Sequence, residues 1–390
     1  MTAHSSLGGS GAHRWMKCPG SVRQSAGIEE RTSVYAAEGS AAHTVAADCL
    51  KDGLDACQYL EAPIAGVKVG VEVIPIDVDM VDAVQVYLDA CREMIEPGDE
   101  WDVEQRLDLS EIHPDCFGTA DFVNYKPETR QLIVADYKHG RGVPVEVLDN
   151  EQLLFYALGA MHRLSNRGIA TVTLMVVQPR CPHPDGPVRS VTIEAVELFE
   201  WAAELKDAAE RTQDPDAPLV AGGWCRFCPA APTCPALMEK VIAEAKADFT
   251  EEGDLVLSDP KTFSGEELAK RLGHVDMIEG WCRKVREFAH HEAEAGRTPP
   301  GFKLVATRAT RKWKDEERTI GFLTKYGLDK EDIYVEPKVK SPAQVEKVIG
   351  KKNAGDIAEL IESVSSGTVL APLDDKRPPV RAAAQEDFTA

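Results

Sequence analysis

The chain reads as an α/β protein: a mixed central sheet flanked by helices, followed by a smaller C-terminal mixed α/β region. Three observations predict this. Helix-like and strand-like apolar periodicities alternate between Val34 and Arg211. Two strand-like runs flank a turn at Lys126-Pro127-Glu128, a β-hairpin pattern. Apolar residues fill 43% of the 390 positions, enough for a sizeable core and for two domains.

The elements follow in order. Residues 1 to 30 read as an irregular arm carrying Cys18. The small-residue run Val34 to Lys51 predicts a first helix, and Met80 to Glu96 a second. Glu100 to Leu109 alternates as a strand bearing Glu104. The hairpin strands are Asp121-Phe122-Val123-Asn124-Tyr125 and Gln131 to Lys138. A capping box between Asp149 and Gln152 opens a helix that runs to Arg163. Thr171 to Val177 and Arg189 to Glu194 are strands, and Val196 to Arg211 is an amphipathic helix. Asp214 to Pro218 is a turn-rich approach to a cysteine loop that closes a domain of residues 1–245. Ser264-Gly265-Glu266-Glu267 is a capping box opening a long helix to Ala295. A strand is expected at Gly301 to Arg308, a helix within Trp313 to Tyr326, and a short helix from Ser341-Pro342. Residues 246–365 thus form a mostly helical appendage, and the polar tail 366–390 reads as disordered.

The hairpin carries Asp121, Asp136 and Lys138 on otherwise apolar strands. Buried carboxylates cost several kcal/mol unless paired or bound to metal. Side chains alternate along a strand, so Asp136 and Lys138 share a face. Two carboxylates beside a lysine suit metal-assisted phosphodiester hydrolysis, and a solvated Asp–Lys pair at the hairpin end is the plainer reading of these three alone. Upstream, Gly39 and His43 are one helical turn apart. Gly39 permits close approach by another backbone, and His43 is a good metal ligand. Downstream, Gln152 and Tyr156 are again i and i+4.

Cys225-Arg226-Phe227-Cys228 is a C-x2-C, with Cys234 after five more residues, in a segment rich in Gly and Pro. Cys18, in the turn-forming Cys18-Pro19-Gly20, is the best fourth ligand. Four thiolates suit a structural zinc or an iron–sulfur cluster. Cys49, Cys57, Cys91, Cys116, Cys181 and Cys282 are scattered singly and read as free thiols.

In this order the residues resemble the RecB-like branch of the PD-(D/E)xK nucleases, over residues 10 to 240. The resemblance is to the iron–sulfur subset, which includes the CRISPR-adaptation and AddB-type exonucleases. Gly39 and His43 fit the first motif, Gly118 to Asp121 a G-x-x-D, and Asp136-Tyr137-Lys138 the (D/E)-x-K with Asp where many members carry Glu. Gln152 and Tyr156 fit Q-x-x-x-Y, and Cys18 with Cys225, Cys228 and Cys234 fits the cluster-bearing pattern. Ser10 to Ser21 and Pro300 to Trp313 resemble in particular a phage and prophage family of this kind. The resemblance implies a restriction-endonuclease-like core and a metal-dependent DNA exonuclease serving phage recombination, repair or replication. It implies Mg²⁺ or Mn²⁺ on His43, Asp121, Asp136 and the Tyr137 carbonyl. Lys138 would act on the attacking water, Gln152 and Tyr156 would position the DNA backbone or the Lys138 strand, and Glu104 is an outer candidate for a second ion held through water. It implies a [4Fe–4S] cluster on the four cysteines, with structural Zn²⁺ as the alternative. The other class of function that fits is a non-catalytic DNA-binding or assembly protein that keeps the fold and cluster as scaffold.

Composition bounds the partners. A formal charge of −21 argues against a general nucleic-acid coat and leaves room for a local groove. Basic residues gather at Lys138 to Arg141 and at Lys303, Arg308, Arg311, Lys312 and Lys314. Arg141, Lys303, Arg311, Lys312 and Lys314 are therefore the candidate contacts to a DNA end or single strand. A phage single-strand annealing or single-strand-binding protein and a second copy of the chain are the expected protein partners. No run approaches the ~20 apolar residues of a membrane span, and no leader pattern opens the chain. The expected setting is the cytoplasm of a bacterial host. The sequence has no glycine-rich phosphate loop, hence no motor of its own.

Overall fold

Five strands form one mixed sheet in the first of two units, Met1–Met277; the second unit is Ile278–Ala390. The computed structural model describes residues 5–28, 33–60, 66–69, 72–165, 167–246, 264–306, 310–335, 338–339, 345, 349, 354–364 and 368–372. Helices α1 (Ala12–Lys17), α2 (Gly20–Ser25) and α3 (Val34–Asp52) come first. A short hairpin of β1 (Gly66–Val69) and β2 (Glu72–Pro75) leads to α4 (Val78–Met94). Then come β3 (Glu100–Asp108), β4 (Phe117–Lys126), β5 (Gln131–Tyr137), α5 (Glu151–Arg163), β6 (Thr171–Val177), β7 (Val188–Glu194), α6 (Ala195–Thr212) and α7 (Pro235–Lys246). Sheet order follows sequence order. Every pair is antiparallel except β5 with β6, and α5 supplies the crossover that a parallel pair needs.

The sheet is covered on both faces. One cluster joins Trp15, Leu132, Val134, Leu174, Phe155 and Leu198, from α1, α5, α6 and the sheet. The other joins Ala41, Val45, Val84, Leu88, Phe122 and Tyr137, from α3, α4 and the sheet. Sheets buried on both faces read as continuous apolar runs, and Leu132 to Ala135 and Val172 to Val177 do so, broken only by Thr173.

Two expectations need correction. The first thirty residues, expected to be irregular, carry two short helices, α1 and α2. Helices this short are marginal alone. Burial holds α1: Trp15 is fully buried, and its indole N–H donates to the Gly8 carbonyl at 3.1 Å. The cap of α5 is Asn150, whose side chain accepts from the Gln152 and Leu153 amides; Asp149 sits one residue outside at φ 51°. An N-cap needs extended backbone, which Asn150 has and Asp149 lacks.

One feature of the sheet positions the site. Between β3 and β4 the register pairs Val103 with Phe122 and Gln105 with Ala120, which sets Glu104 opposite Asp121. Between β4 and β5, Phe122 pairs with Ala135, so one further step sets Asp121 opposite Asp136. Three carboxylates therefore lie in one row across three neighbouring strands. At that row the strands change face. Val103 and Phe122 pack on the α3–α4 side, while Leu107 and Ala120 pack on the α5–α6 side. Residues of equal parity normally share a face. Glu104 adopts φ 51°, the left-handed conformation, and breaks the alternation there.

α8 (Gly265–Glu294) opens on Ser264, whose hydroxyl and amide exchange hydrogen bonds with Glu267 as the capping box predicts. Next come β8 (Phe302–Ala306), β9 (Thr310–Trp313), α9 (Glu316–Lys325), α10 (Lys330–Ile333), β10 (Tyr334–Val335), β11 (Lys338–Val339), β12 (Ile361–Val364) and β13 (Thr368–Pro372). β8 pairs with β13, β9 with β12, and β10 with β11. Leu323, Ile333, Val345, Ile357 and Leu360 make a small core. The helix expected within Trp313 to Tyr326 begins at Glu316, capped by Asp315, because Trp313 belongs to β9. Thr368–Pro372, within the tail expected to be disordered, form β13 on β8; the helix start at Ser341-Pro342 and residues 373–390 lie outside the described residues.

The packing of α5 on β3 is close. A Cβ on Gly159 would meet Leu107 Cβ at 2.9 Å. Gly159→Val is expected to lower stability by about 1–3 kcal/mol, read as a lower urea midpoint. An unchanged midpoint would show that α5 can lift off β3 at no cost.

Candidate metal centre and cysteine site

α3 brings small residues to one wall of a cleft of about 620 Å³. Ser33 starts the helix by accepting the Ala36 amide, and Gly39, His43 and Lys51 then line the cleft with Glu104 and Asp121. His43 Nδ1 lies 3.3 Å from Asp121 Oδ1. Ligand atoms of His43, Glu104 and Asp121 all fall within 4.8 Å of one another. The second Asp121 oxygen accepts the Tyr137 amide at 2.7 Å.

The other half of the site hangs from β5 and α5. Asp136 is only 3% exposed, and Lys138 Nζ stands 2.9 Å from its Oδ2. Lys138 donates at 2.7 Å to Gln152 Oε1, and Gln152 Nε2 donates at 3.2 Å to the Tyr156 hydroxyl. Lys138 meets Asp136 as an ion pair outside hydrogen-bond geometry, and Asp136 Oδ2 is left buried without a hydrogen bond. The structure thus brings His43, Asp121, Asp136, Lys138, Gln152 and Tyr156 to one place. The Tyr137 ring packs on His43 at 5.3 Å and Tyr87 at 4.9 Å between ring centroids. Glu104 stands beside His43 and Asp121 rather than at the periphery, and no local sequence signal marks its left-handed backbone.

The charges constrain one another. Burial opposes the His43 charge, but the Asp121 carboxylate outweighs it and raises the imidazole to about 9. Burial likewise works against the Asp121 anion, and His43 reverses this, holding the carboxyl below its usual range. Asp136 goes the other way: burial raises it, Lys138 only partly compensates, and Asp121 adds repulsion. Burial and then Asp121 raise Glu104. A divalent cation fits the donor set of His43, Glu104 and Asp121, whose ligand atoms lie together; Asp136 stands outside that group, against Lys138. The ion would add positive charge to a row in which, among the described residues, Lys138 alone pairs with Asp136 Oδ2.

A second network, not anticipated from sequence, flanks the first. Arg180 reaches Glu38 at 2.7 Å and contacts His139, whose Nδ1 is 2.8 Å from the Tyr137 hydroxyl. Burial and then Arg180 lower His139 to about 4, so it is neutral at pH 7. Of the expected DNA contacts, Arg141 is ion-paired to Asp79. Lys303 lies on β8, Arg311 and Lys312 on β9, and Lys314 just beyond it, all in the second unit.

Cys18, Cys225, Cys228 and Cys234 line a single pocket, together with Arg14 and Trp224. Backbone amides aim at two of the sulfurs: Val220 at Cys18 Sγ (3.1 Å) and Gly222 at Cys225 Sγ (3.4 Å). Such donors are what thiolate ligands of a metal or cluster accept. Burial raises Cys18 and Cys225, and the neighbouring sulfurs raise both further. The N-terminal arm reaches this loop by close backbone contact. The Gly20 amide donates to the Pro218 carbonyl at 3.0 Å, and a Cβ there would sit 2.5 Å from the Ala217 carbonyl oxygen.

Fold and site together define an α/β protein with a five-stranded mixed sheet and a carboxylate–histidine cluster at its edge. The chain belongs to a family described as protein of unknown function (DUF2800), which matches residues 4–378. A solved structure titled "Crystal structure of SSO0001" matches at 13% identity with a TM-score of 0.22, covering 58% of this chain and 96% of that one. Among the described residues no helix is long and apolar enough to cross a membrane.

The His43–Asp121 pair gives a pH signature. A raised histidine stabilises the fold fully below its unfolded value and loses that contribution as pH rises through its folded value. Metal-free protein should therefore lose thermal stability between about pH 6.5 and about 9. His43→Gln should remove that slope. A wild-type melting temperature flat across this window would show that Asp121 does not hold the proton on His43.

Proposed function

We propose that the chain is a metal-dependent deoxyribonuclease of PD-(D/E)xK type, acting as an exonuclease on linear DNA. The observation that carries this reading is the row of Glu104, Asp121 and Asp136 beside Lys138, with a buried Asp136 oxygen lacking a hydrogen bond. Like charges directly opposite in a sheet are destabilising, so a row of this kind asks for a cation. His43, Glu104, Asp121 and Asp136 would hold Mg²⁺ or Mn²⁺. When bound, the ion polarises the scissile phosphate and lowers the pKa of its water.

The protein's own groups supply the rest. Lys138 is held between Asp136 and Gln152, so its ammonium is aimed before substrate arrives. It orients the attacking water and balances charge building on the phosphate. Gln152 is in turn held by the Tyr156 hydroxyl. The Tyr137 amide fixes one Asp121 oxygen and leaves the other facing His43. The four cysteines hold a [4Fe–4S] cluster that ties the N-terminal arm to the loop closing the sheet domain. Structural zinc is the other occupant that four thiolates admit.

Purified protein incubated with end-labelled linear DNA and Mn²⁺ should degrade it and spare closed circles. Asp136→Asn and Lys138→Ala should each reduce the rate at least about 100-fold while the circular dichroism spectrum is retained. Wild-type rates in both variants would remove the site, and no cleavage by the native protein with either metal would leave a scaffold. Cys18→Ala should lower the melting temperature and the bound iron together, since the cross-link spans nearly the whole domain. Colourless protein with one zinc would replace the cluster but keep the staple.

A further inference from the structure

The second unit contains a cleft of about 410 Å³ lined by Arg318, Gly321, Phe322, Lys325, Glu359 and Leu360. Four of these lie on α9, which buries Thr319 and Leu323 on its other side. Phe322 is 37% and Tyr326 39% exposed, with near-parallel rings 6.1 Å apart. Arg318, Phe322 and Tyr326 follow one another at i+4, and Gly321 and Lys325 form the adjacent row. Neither Arg318 nor Lys325 makes an ion pair among the described residues.

Gly321 is the telling residue. It sits inside a ten-residue helix, where glycine is less favourable than alanine. Nothing among the described residues requires it: its φ is not positive, and an added Cβ would meet none of their atoms within 4 Å. What a side chain there would fill is the cleft itself.

We propose that this face of α9 is a single-stranded DNA platform. It rests on the nuclease reading for the choice of DNA as the polymer. Bases stack on Phe322 and Tyr326, a planar base lies over Gly321, and Arg318 and Lys325 meet the phosphates. Cations in no ion pair among the described residues, interleaved with exposed rings, match the two chemical faces of a single strand, its charged backbone and its flat bases. An acidic peptide would satisfy the cations and leave the rings unused. In a duplex the base faces are covered. The platform lies outside the carboxylate site, so it binds without metal and without cleavage.

The test is fluorescence anisotropy of the full chain with labelled oligothymidylate in EDTA, where no hydrolysis occurs. Native protein should bind this probe more tightly than an abasic oligomer of the same length. Phe322→Ala and Tyr326→Ala should each weaken binding about tenfold and together erase the preference over the abasic strand. Arg318→Gln and Lys325→Gln should each flatten the salt slope by about 0.7. Gly321→Ala should raise the melting temperature, as helix propensity dictates, yet weaken binding. Absence of binding, equal affinity for the abasic strand or for poly-glutamate, or ring variants with native affinity would each overturn the platform. Cleavage with unaltered binding in the ring variants would sink the platform and leave the nuclease. Ring-dependent binding with no cleavage would do the reverse.

Discussion

A row of three carboxylates across β3, β4 and β5 is the constraint from which the sheet domain follows. Glu104, Asp121 and Asp136 are brought together by strand register, not by flexible side chains. Their repulsion has to be opposed locally. His43 comes from α3 on one side and Lys138, braced by Gln152, from the other. Two cations facing three anions leave the row incompletely balanced. The raised Asp136 and Glu104 carboxyls, and the Asp136 oxygen that Lys138 pairs with but does not hydrogen-bond, express that imbalance. The left-handed backbone at Glu104 belongs to the same problem. Strain of this kind costs of order 1–3 kcal/mol and persists only where surrounding structure enforces it. Here it swings the strand from one core to the other and turns a glutamate toward Asp121 instead of into either.

The second constraint is closure. The sheet ends on β7, and nothing in its ladder draws the N-terminal arm to the loop after α6. Apolar contact does part of this, through Trp15. The cysteine pocket does the rest, from the end of α1 to the start of α7, with Gly20 and Pro218 in backbone contact beside it. The proposed four-ligand centre there would link segments about two hundred positions apart, which would restrict the unfolded chain strongly. The amides of Val220 and Gly222, already aimed at sulfur, stabilise charged thiolates over neutral thiols.

Much of this was legible in the sequence, for identifiable reasons. Alternating periods located β3 to β7 and α3 to α6 within a few residues, because both faces of the sheet and one face of each helix are buried. Asp121, Asp136 and Lys138 stood out as charges on apolar strands, and His43, Gln152 and Tyr156 by helical spacing. Three things were not legible. α1 and α2 are short helices stabilised by contacts with α5 and α6, so local pattern could not reveal them. Asn150 displaced Asp149 as cap because backbone conformation, not residue type, decides between adjacent candidates. Glu104 looked peripheral because its position depends on a positive φ that glutamate rarely adopts.

The acidity of the chain and the negatively charged substrate proposed for it can be reconciled through distance. With a formal charge of −21, the molecule repels a polyanion at long range. At physiological ionic strength that field decays over about 8 Å. Only charges within this distance of a phosphate matter at contact, and Lys51 and Lys138 stand at the site while most acidic residues do not. In the cleft, the carboxylate row itself is the nearest repulsive element. A divalent cation on that row would reverse its sign toward phosphate. In the proposed nuclease, affinity for a phosphodiester and hydrolytic competence would then depend on the same ion, and without it the same side chains would repel a phosphate.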